Sequence, residues 1–124
     1  MIPLFGVVSI YEVPRERIIS VLRTCKFNWD RPMSITVTGP SSFCKVVSEW
    51  CRKKSIPCTI YKMSGSRFSN LSPRRYLQCF QVMRASTHFV SFSRENDLAM
   101  EGLVEEVEKR GIPFLDLIIK DVPH

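Results

Sequence analysis

This sequence has only 2 histidines and 5 glycines in 124 residues, and it contains no long hydrophobic run. Two histidines exclude a histidine-rich metal site, and we predict neither a bound metal nor a cofactor. No apolar stretch approaches the ~18 residues that a membrane span needs, so no membrane partner is expected. No basic segment precedes the first apolar residues, which disfavours a signal peptide and predicts a cytoplasmic protein.

Cysteine pairing motifs are also missing. The chain has 5 cysteines, an odd number, and no two of them form a Cys-x-x-Cys pair. A disulfide framework or a zinc site is therefore disfavoured. The cysteines have apolar neighbours, so we expect small buried hydrophobic side chains in a reducing compartment.

Acidic residues are scarce in most of the chain. The first 94 residues hold 15 lysines and arginines against 4 acidic residues, whereas residues 95–124 hold 3 against 8. A basic body attracts anions, which could be nucleotides, other phosphorylated ligands or nucleic acid. The acidic end is interpreted as the solvated face of one helix.

The hydrophobic pattern predicts one α/β domain over residues 1–124. Hydrophobic residues make up 44% of the chain, the proportion of an ordinary globular protein. Short apolar runs alternate with amphipathic stretches of helical period. Strands are predicted at 4–10, 34–38, 58–61, 88–92 and 114–119. Helices are predicted at 14–26, after Ser41 or Ser42 as the cap, at 73–84 and after Asp97. Strands separated by helices favour a mostly parallel five-stranded sheet in a Rossmann-like, three-layer arrangement with helices on both faces.

The candidate site lies where the predicted strands end. Ligands of open parallel sheets bind beyond the carboxyl ends of the strands. The candidate ligand-binding and phosphate-binding residues are Ser9, Tyr11, Thr38, Gly39, Ser41, Ser42, Arg74, Arg75, Ser93 and Arg94. Segment 38–42 is the most informative, because a small-residue turn at a helix N-terminus presents backbone N–H groups to an anion. From this segment alone a tight turn whose serines only cap the helix is the favoured interpretation, because the segment matches neither the P-loop nor the dinucleotide fingerprint.

Arg74 and Arg75 fall in the first turn of the third helix. Arginine is a good phosphate ligand, but it is also an ordinary exposed helix residue. A helix N-terminus is not its electrostatically preferred place, which favours a functional role. Both interpretations stay open from the sequence.

Few residues in the sequence indicate a catalytic site. Glu12 and Glu101 are the two carboxylates near the predicted ligand side, although no pattern pairs them. Ser41 lacks evident triad partners. His88 lies inside an apolar strand and is interpreted as a hydrogen-bonded core histidine.

From the second strand onward, the order of motifs resembles the SLOG superfamily of Rossmann-like nucleotide-ligand binders, and within it the small YspA-like proteins. The matching features are a strand and small-residue turn, a helix containing Glu-Trp, an arginine-rich helix start and a closing Gly-Ile-Pro-Phe. The segments that carry the resemblance are 36–42, 47–52, 55–58, 73–76, 83–92 and 111–114. The resemblance implies the fold and a nucleotide-type ligand. The Pro-Gly-Gly-x-Gly-Thr-x-x-Glu motif of the phosphoribohydrolase branch is missing.

Three functions are compatible with these features. The first is a module that binds a nucleotide or an ADP-ribose-type ligand, as a sensor or to sequester it. The second is a small nucleoside or nucleotide N-glycosidase or transferase with Glu12 or Glu101 as its carboxylate. The third is a basic scaffold that binds nucleic acid or protein. Homo-oligomerisation is compatible with all three, since a sheet this small leaves helix faces to cover.

Overall fold

Strands and helices alternate along the whole described chain. The computed structural model describes residues 3–27, 33–61, 74–94 and 97–119. The strands are β1 (Leu4–Ser9), β2 (Ser34–Thr38), β3 (Cys58–Ile60), β4 (His88–Arg94) and β5 (Phe114–Ile119). The helices are α1 (Arg15–Phe27), α2 (Ser41–Lys53), α3 (Arg74–Ala85) and α4 (Leu98–Lys109). The alternation confirms the predicted α/β class with a parallel sheet.

The five strands form one sheet in the order β3-β2-β1-β4-β5. Every neighbouring pair is parallel. From β1 the chain adds β2 and then β3 on one side of the sheet. It then passes back over β1 to form β4 on the other side, so the direction in which strands are added reverses between β1 and β4. Periodicity could not supply this order, because it depends on pairing between strands that are distant in sequence.

Helices cover both faces of the sheet. On one face α1 and α2 pack on side chains such as Phe5, Val7 and Val37. On the other face α3 and α4 pack on a second cluster that includes Val8 and Phe89. Successive residues of β1 alternate between the two clusters because strand side chains point to opposite faces. Burying both faces explains why the strands are nearly continuous apolar runs.

Two of the helix starts differ in how they are capped. The side chain of Asp97 accepts a hydrogen bond from the backbone N–H of Met100, which confirms the predicted cap of α4. The predicted serine cap of α2 is wrong. Pro40 is the N-cap and no side chain caps this end, because Ser41 and Ser42 are already the first two residues of the helix. The hydroxyl of Ser42 donates to Glu12.

Candidate functional site

The reversal of strand order locates the candidate site. All strands are parallel, so the carboxyl ends of β1, β2 and β4 lie along one edge of the sheet, here called the carboxyl edge. The chain leaves β1 toward β2 on one side, and β4 lies on the other side. In open α/β sheets such a reversal leaves a crevice outside the strand ends, where ligands bind.

Ser9 shapes the exit of the chain from β1. Its side chain is fully buried. The hydroxyl accepts a hydrogen bond from the backbone N–H of Tyr11 at 3.0 Å and lies 2.7 Å from the Tyr11 carbonyl oxygen, to which it donates. These local bonds fix the backbone at Tyr11, so Ser9 acts by positioning the next residues along the carboxyl edge.

Tyr11 is half-buried and spans the switch in strand order. Its hydroxyl donates a hydrogen bond to the carboxylate of Asp97. The other carboxylate oxygen of Asp97 accepts from the backbone N–H of Met100 at 3.2 Å. The exit of β1 is thereby joined to the start of α4. Sequence reasoning found Asp97 only as a helix cap and missed this second contact, because the two side chains lie 86 positions apart.

The start of α2 lies next to Glu12. The hydroxyl of Ser42 donates to the Glu12 carboxylate, and both residues are exposed, as is Ser41. The first backbone N–H groups of a helix have no partners within it, and the helix dipole makes this end attractive to anions. Glu12 therefore places a negative charge at a helix end that favours one.

Gly39 allows the turn after β2 to approach β1 closely. Its φ is 151°, and a Cβ atom built there would lie 2.6 Å from the carbonyl oxygen of Ser9 and 2.9 Å from the ring of Phe43. Any larger residue would push the turn and the strand end apart. Glycine at this position keeps the start of α2 beside the exit of β1.

Thr38 has a structural role that its position did not reveal. The residue is fully buried, and its hydroxyl donates to the carbonyl oxygen of Tyr61 at 3.1 Å. The same oxygen accepts from the side-chain amide of Gln78 at 2.8 Å. Thr38 therefore connects β2, the end of β3 and α3. No sequence pattern indicated Gln78, which is a buried polar residue of α3.

The remaining candidate binding residues are distributed along the same edge. Arg74 and Arg75 begin α3, and Arg94 is the last residue of β4, so their backbone positions lie at the carboxyl edge. Ser93 is buried near the end of β4. The predicted loop 62–72 with Arg67, and most of the turn after β4, lie outside the described residues.

The candidate catalytic carboxylates do not form a pair in the described contacts. Glu12 contacts Ser42, and Glu101 is exposed in the first turn of α4. His88 is the first residue of β4 and therefore lies at the opposite edge of the sheet. Its ring stacks on Phe5 with 4.7 Å between centroids, and burial lowers its pKa below the usual value. The described side chains thus offer single carboxylates without a neighbouring general acid or base.

The described ranges hold neither a metal-binding cluster nor a membrane-spanning helix. Within 3–27, 33–61, 74–94 and 97–119, no three histidine, cysteine, aspartate or glutamate side chains are grouped as a metal site requires. None of the helices described there is both long and apolar enough to span a bilayer. A shallow open depression lies along the first two turns of α1, lined by exposed residues such as Glu16 and Arg17.

Comparison of the chain with protein-family models, curated proteins and solved structures gives no match. Four features of the carboxyl edge bear on function: the reversal of strand order, the close turn at Gly39, the start of α2 and the contact between Tyr11 and Asp97.

Proposed function

We propose that this chain is a Rossmann-like domain of the SLOG type that binds a nucleotide or an ADP-ribose-type ligand at its carboxyl edge. Its strand order, β3-β2-β1-β4-β5, is that of the first five strands of the doubly wound dinucleotide-binding fold. In that fold the ligand lies at the reversal between the first and fourth strands. This agreement is the observation that carries the proposal.

The start of α2 is the proposed phosphate site. Gly39 and Pro40 bring the backbone of Ser41 and Ser42 to the carboxyl edge, and no side chain caps this helix end. Backbone N–H groups at a helix N-terminus bind phosphate through hydrogen bonds and the helix dipole. The phosphate would take the place beside Ser42 that the Glu12 carboxylate occupies in the structure.

The other candidate residues have complementary roles. Arg74, Arg75 and Arg94 are proposed to offset the phosphate charge from α3 and β4, since guanidinium groups bind phosphate oxygens in pairs. Tyr11 is proposed to contact the base or the ribose. Ser9 supports it by fixing the backbone on which Tyr11 stands. A chain that binds its ligand in this way would act as a sensor of the ligand or would sequester it.

A thermal-shift screen tests the proposal directly. The panel comprises adenine, guanine and pyrimidine nucleotides, cyclic nucleotides and ADP-ribose. A ligand that binds only the folded chain stabilises it by about 2.7 kcal/mol at a hundredfold excess over its Kd. We expect a selective shift that is lost in Arg74→Ala and retained in Arg52→Ala, which removes the same charge from the far end of α2.

Two further results separate the alternatives. Release of free base from the selected nucleotide, lost in Glu12→Gln or Glu101→Gln, would identify an N-glycosidase or transferase. No shift with any ligand, together with salt-dependent binding of nucleic acid, would contradict the nucleotide proposal and support the basic scaffold. Sedimentation at several protein concentrations tests the accompanying proposal of a homo-oligomer.

A further inference from the structure

Two cysteine side chains meet where α2 ends and β3 begins. Cys51 lies in the last turn of α2 and is fully buried. Cys58 is the first residue of β3, is half-buried, and packs against the hydrophobic cluster that contains Cys51. The two side chains are close enough for each thiol to shift the pKa of the other. Cys58 is therefore the partly exposed member of the pair, and Cys51 is the buried one.

The backbone holds this pair in place. The N–H of Ile56 donates to the carbonyl oxygen of Cys51 at 2.9 Å, which closes the turn after the helix. The carbonyl oxygen of Pro57 accepts from the N–H of Ile35 at 2.9 Å, and Cys58 pairs with Ile35 in the sheet. Both cysteines thus belong to hydrogen-bonded elements, and their contact is part of the fold.

Their different burial makes the two thiols chemically different. Interaction with the Cys51 thiol lowers the pKa of Cys58 against the opposing effect of burial. The pKa of Cys51 is raised by its interaction with Cys58 and by burial. The thiolate is the reactive form of cysteine. Because Cys58 is the more exposed of the two, peroxide in solution reaches it first, so we assign Cys58 as the nucleophile and Cys51 as the thiol that reacts second.

We propose that Cys58 and Cys51 form a peroxide-reactive thiol pair that closes to a reversible disulfide. The Cys58 thiolate attacks one oxygen of hydrogen peroxide; the O–O bond breaks, and the leaving hydroxide takes a proton to become water. The Cys51 sulfur then attacks the sulfur of the Cys58 sulfenic acid, and the S–O bond breaks with loss of a second water. Two thiols are oxidised, and one peroxide is reduced to two waters.

Cys44 and Cys79 differ from this pair in their burial. Cys44 is buried, and its thiol donates to the carbonyl oxygen of Gly39. Cys79 is fully buried in the cluster on the other face of the sheet. Both are buried whereas Cys58 is partly exposed, so oxidation should select the pair at Cys51 and Cys58.

The chain offers a direct test, because Arg52, Lys53 and Lys54 lie between the two cysteines. Trypsin therefore separates them into peptides 46–52 and 55–62. The full chain is treated with one equivalent of hydrogen peroxide, and its free thiols are alkylated. We then expect these two peptides to be joined, with a mass two hydrogens below the sum of the two reduced peptides. Dithiothreitol should restore the separate peptides.

Two variants make the test specific. Cys58→Ser should abolish the joined peptide while the circular dichroism spectrum and Tm show a folded chain. Cys44→Ser, which keeps a donor for the Gly39 carbonyl, should leave the joined peptide unchanged. Oxygen addition to peptide 55–62 without a cross-link, or no reaction at Cys58, would overturn the proposal. So would preferential pairing of any other cysteines.

Discussion

The hydroxyl of Tyr11 donates a hydrogen bond to the carboxylate of Asp97, and so joins the end of β1 to the start of α4. The bond crosses the place where the strand order reverses. Asp97 also caps α4 through its other oxygen, so one carboxylate stabilises both a helix end and the contact across the proposed site.

Removing this hydroxyl should destabilise the chain. Hydrogen bonds to charged groups contribute about 1.5–3 kcal/mol, so we expect Tyr11→Phe to lower the free energy of unfolding by about 1–2 kcal/mol, since the site is only half-buried. Urea unfolding measures this. Tyr61→Phe is the matched control, because its hydroxyl makes no hydrogen bond in the described contacts, and it should have a smaller effect.

A double-mutant cycle shows whether the loss belongs to the bond itself. Asparagine is a good N-cap, so Asp97→Asn should keep the cap of α4 while weakening the bond to Tyr11. Combined with Tyr11→Phe, it should cost less than the sum of the single changes. Additive losses would mean that the contact does not stabilise the fold.

Gly39 should tolerate no side chain. We expect Gly39→Ala to lower the free energy of unfolding by about 2–4 kcal/mol, because a Cβ there meets the Ser9 carbonyl and the φ is unfavourable for alanine. Gly102→Ala is the control. Gly102 lies in α4 with no atom within 4 Å of its built Cβ, so alanine should stabilise the chain by about 0.5–1 kcal/mol. Chemical denaturation of both variants measures the contrast, and equal effects would contradict it.

A carboxylate introduced at the start of α2 should weaken ligand binding while leaving the stability of the chain nearly unchanged. Ser41 is exposed at the first position of α2. We expect Ser41→Asp to leave Tm nearly unchanged, since the helix dipole favours an acidic residue there. The same charge should weaken binding of a phosphorylated ligand by about tenfold or more, or about 1.4 kcal/mol. Isothermal titration calorimetry with the ligand found in the screen measures it.

The control for this variant adds the same charge elsewhere. Thr24 is exposed in the later part of α1, away from the carboxyl edge, so Thr24→Asp should not alter affinity for the ligand. If both variants weaken binding equally, the anion is attracted by overall charge, and the start of α2 is not its site.

His88 should make stability depend on pH. Burial lowers its pKa in the folded chain below the ordinary value of 6.5, so the unfolded chain binds this proton more readily. The free energy of unfolding should therefore fall as pH drops from 6.5 to the lower folded-state pKa, and should stay level below that. Urea unfolding at several pH values measures the profile. His88→Phe keeps a ring beside Phe5 and should remove this part of the slope; an unchanged slope would assign it to other groups.

Much of the fold could be predicted from the local sequence. Strands β2 and β5 have the predicted bounds, and Asp97 caps α4 as its position before an amphipathic stretch indicates. These features depend on residues within one element, where periodicity and capping chemistry act. The cap of α2 was predicted wrongly because the local pattern favours serine as the cap, whereas the helix already begins at Ser41 and Pro40 takes the cap position. The contact between Ser42 and Glu12, 30 positions earlier, gave no local signal.

The sequence by itself determined the alternation of elements, their apolar faces and the strand ends at which chemistry could lie. Tertiary structure alone decided the strand order and the pairs Tyr11–Asp97, Ser42–Glu12 and Thr38–Gln78. Local propensity acts over a few residues, and a hydrogen bond between distant positions exists only after the sheet has brought them together. The candidate site is made of such contacts, because the crossing from β3 to β4 creates it.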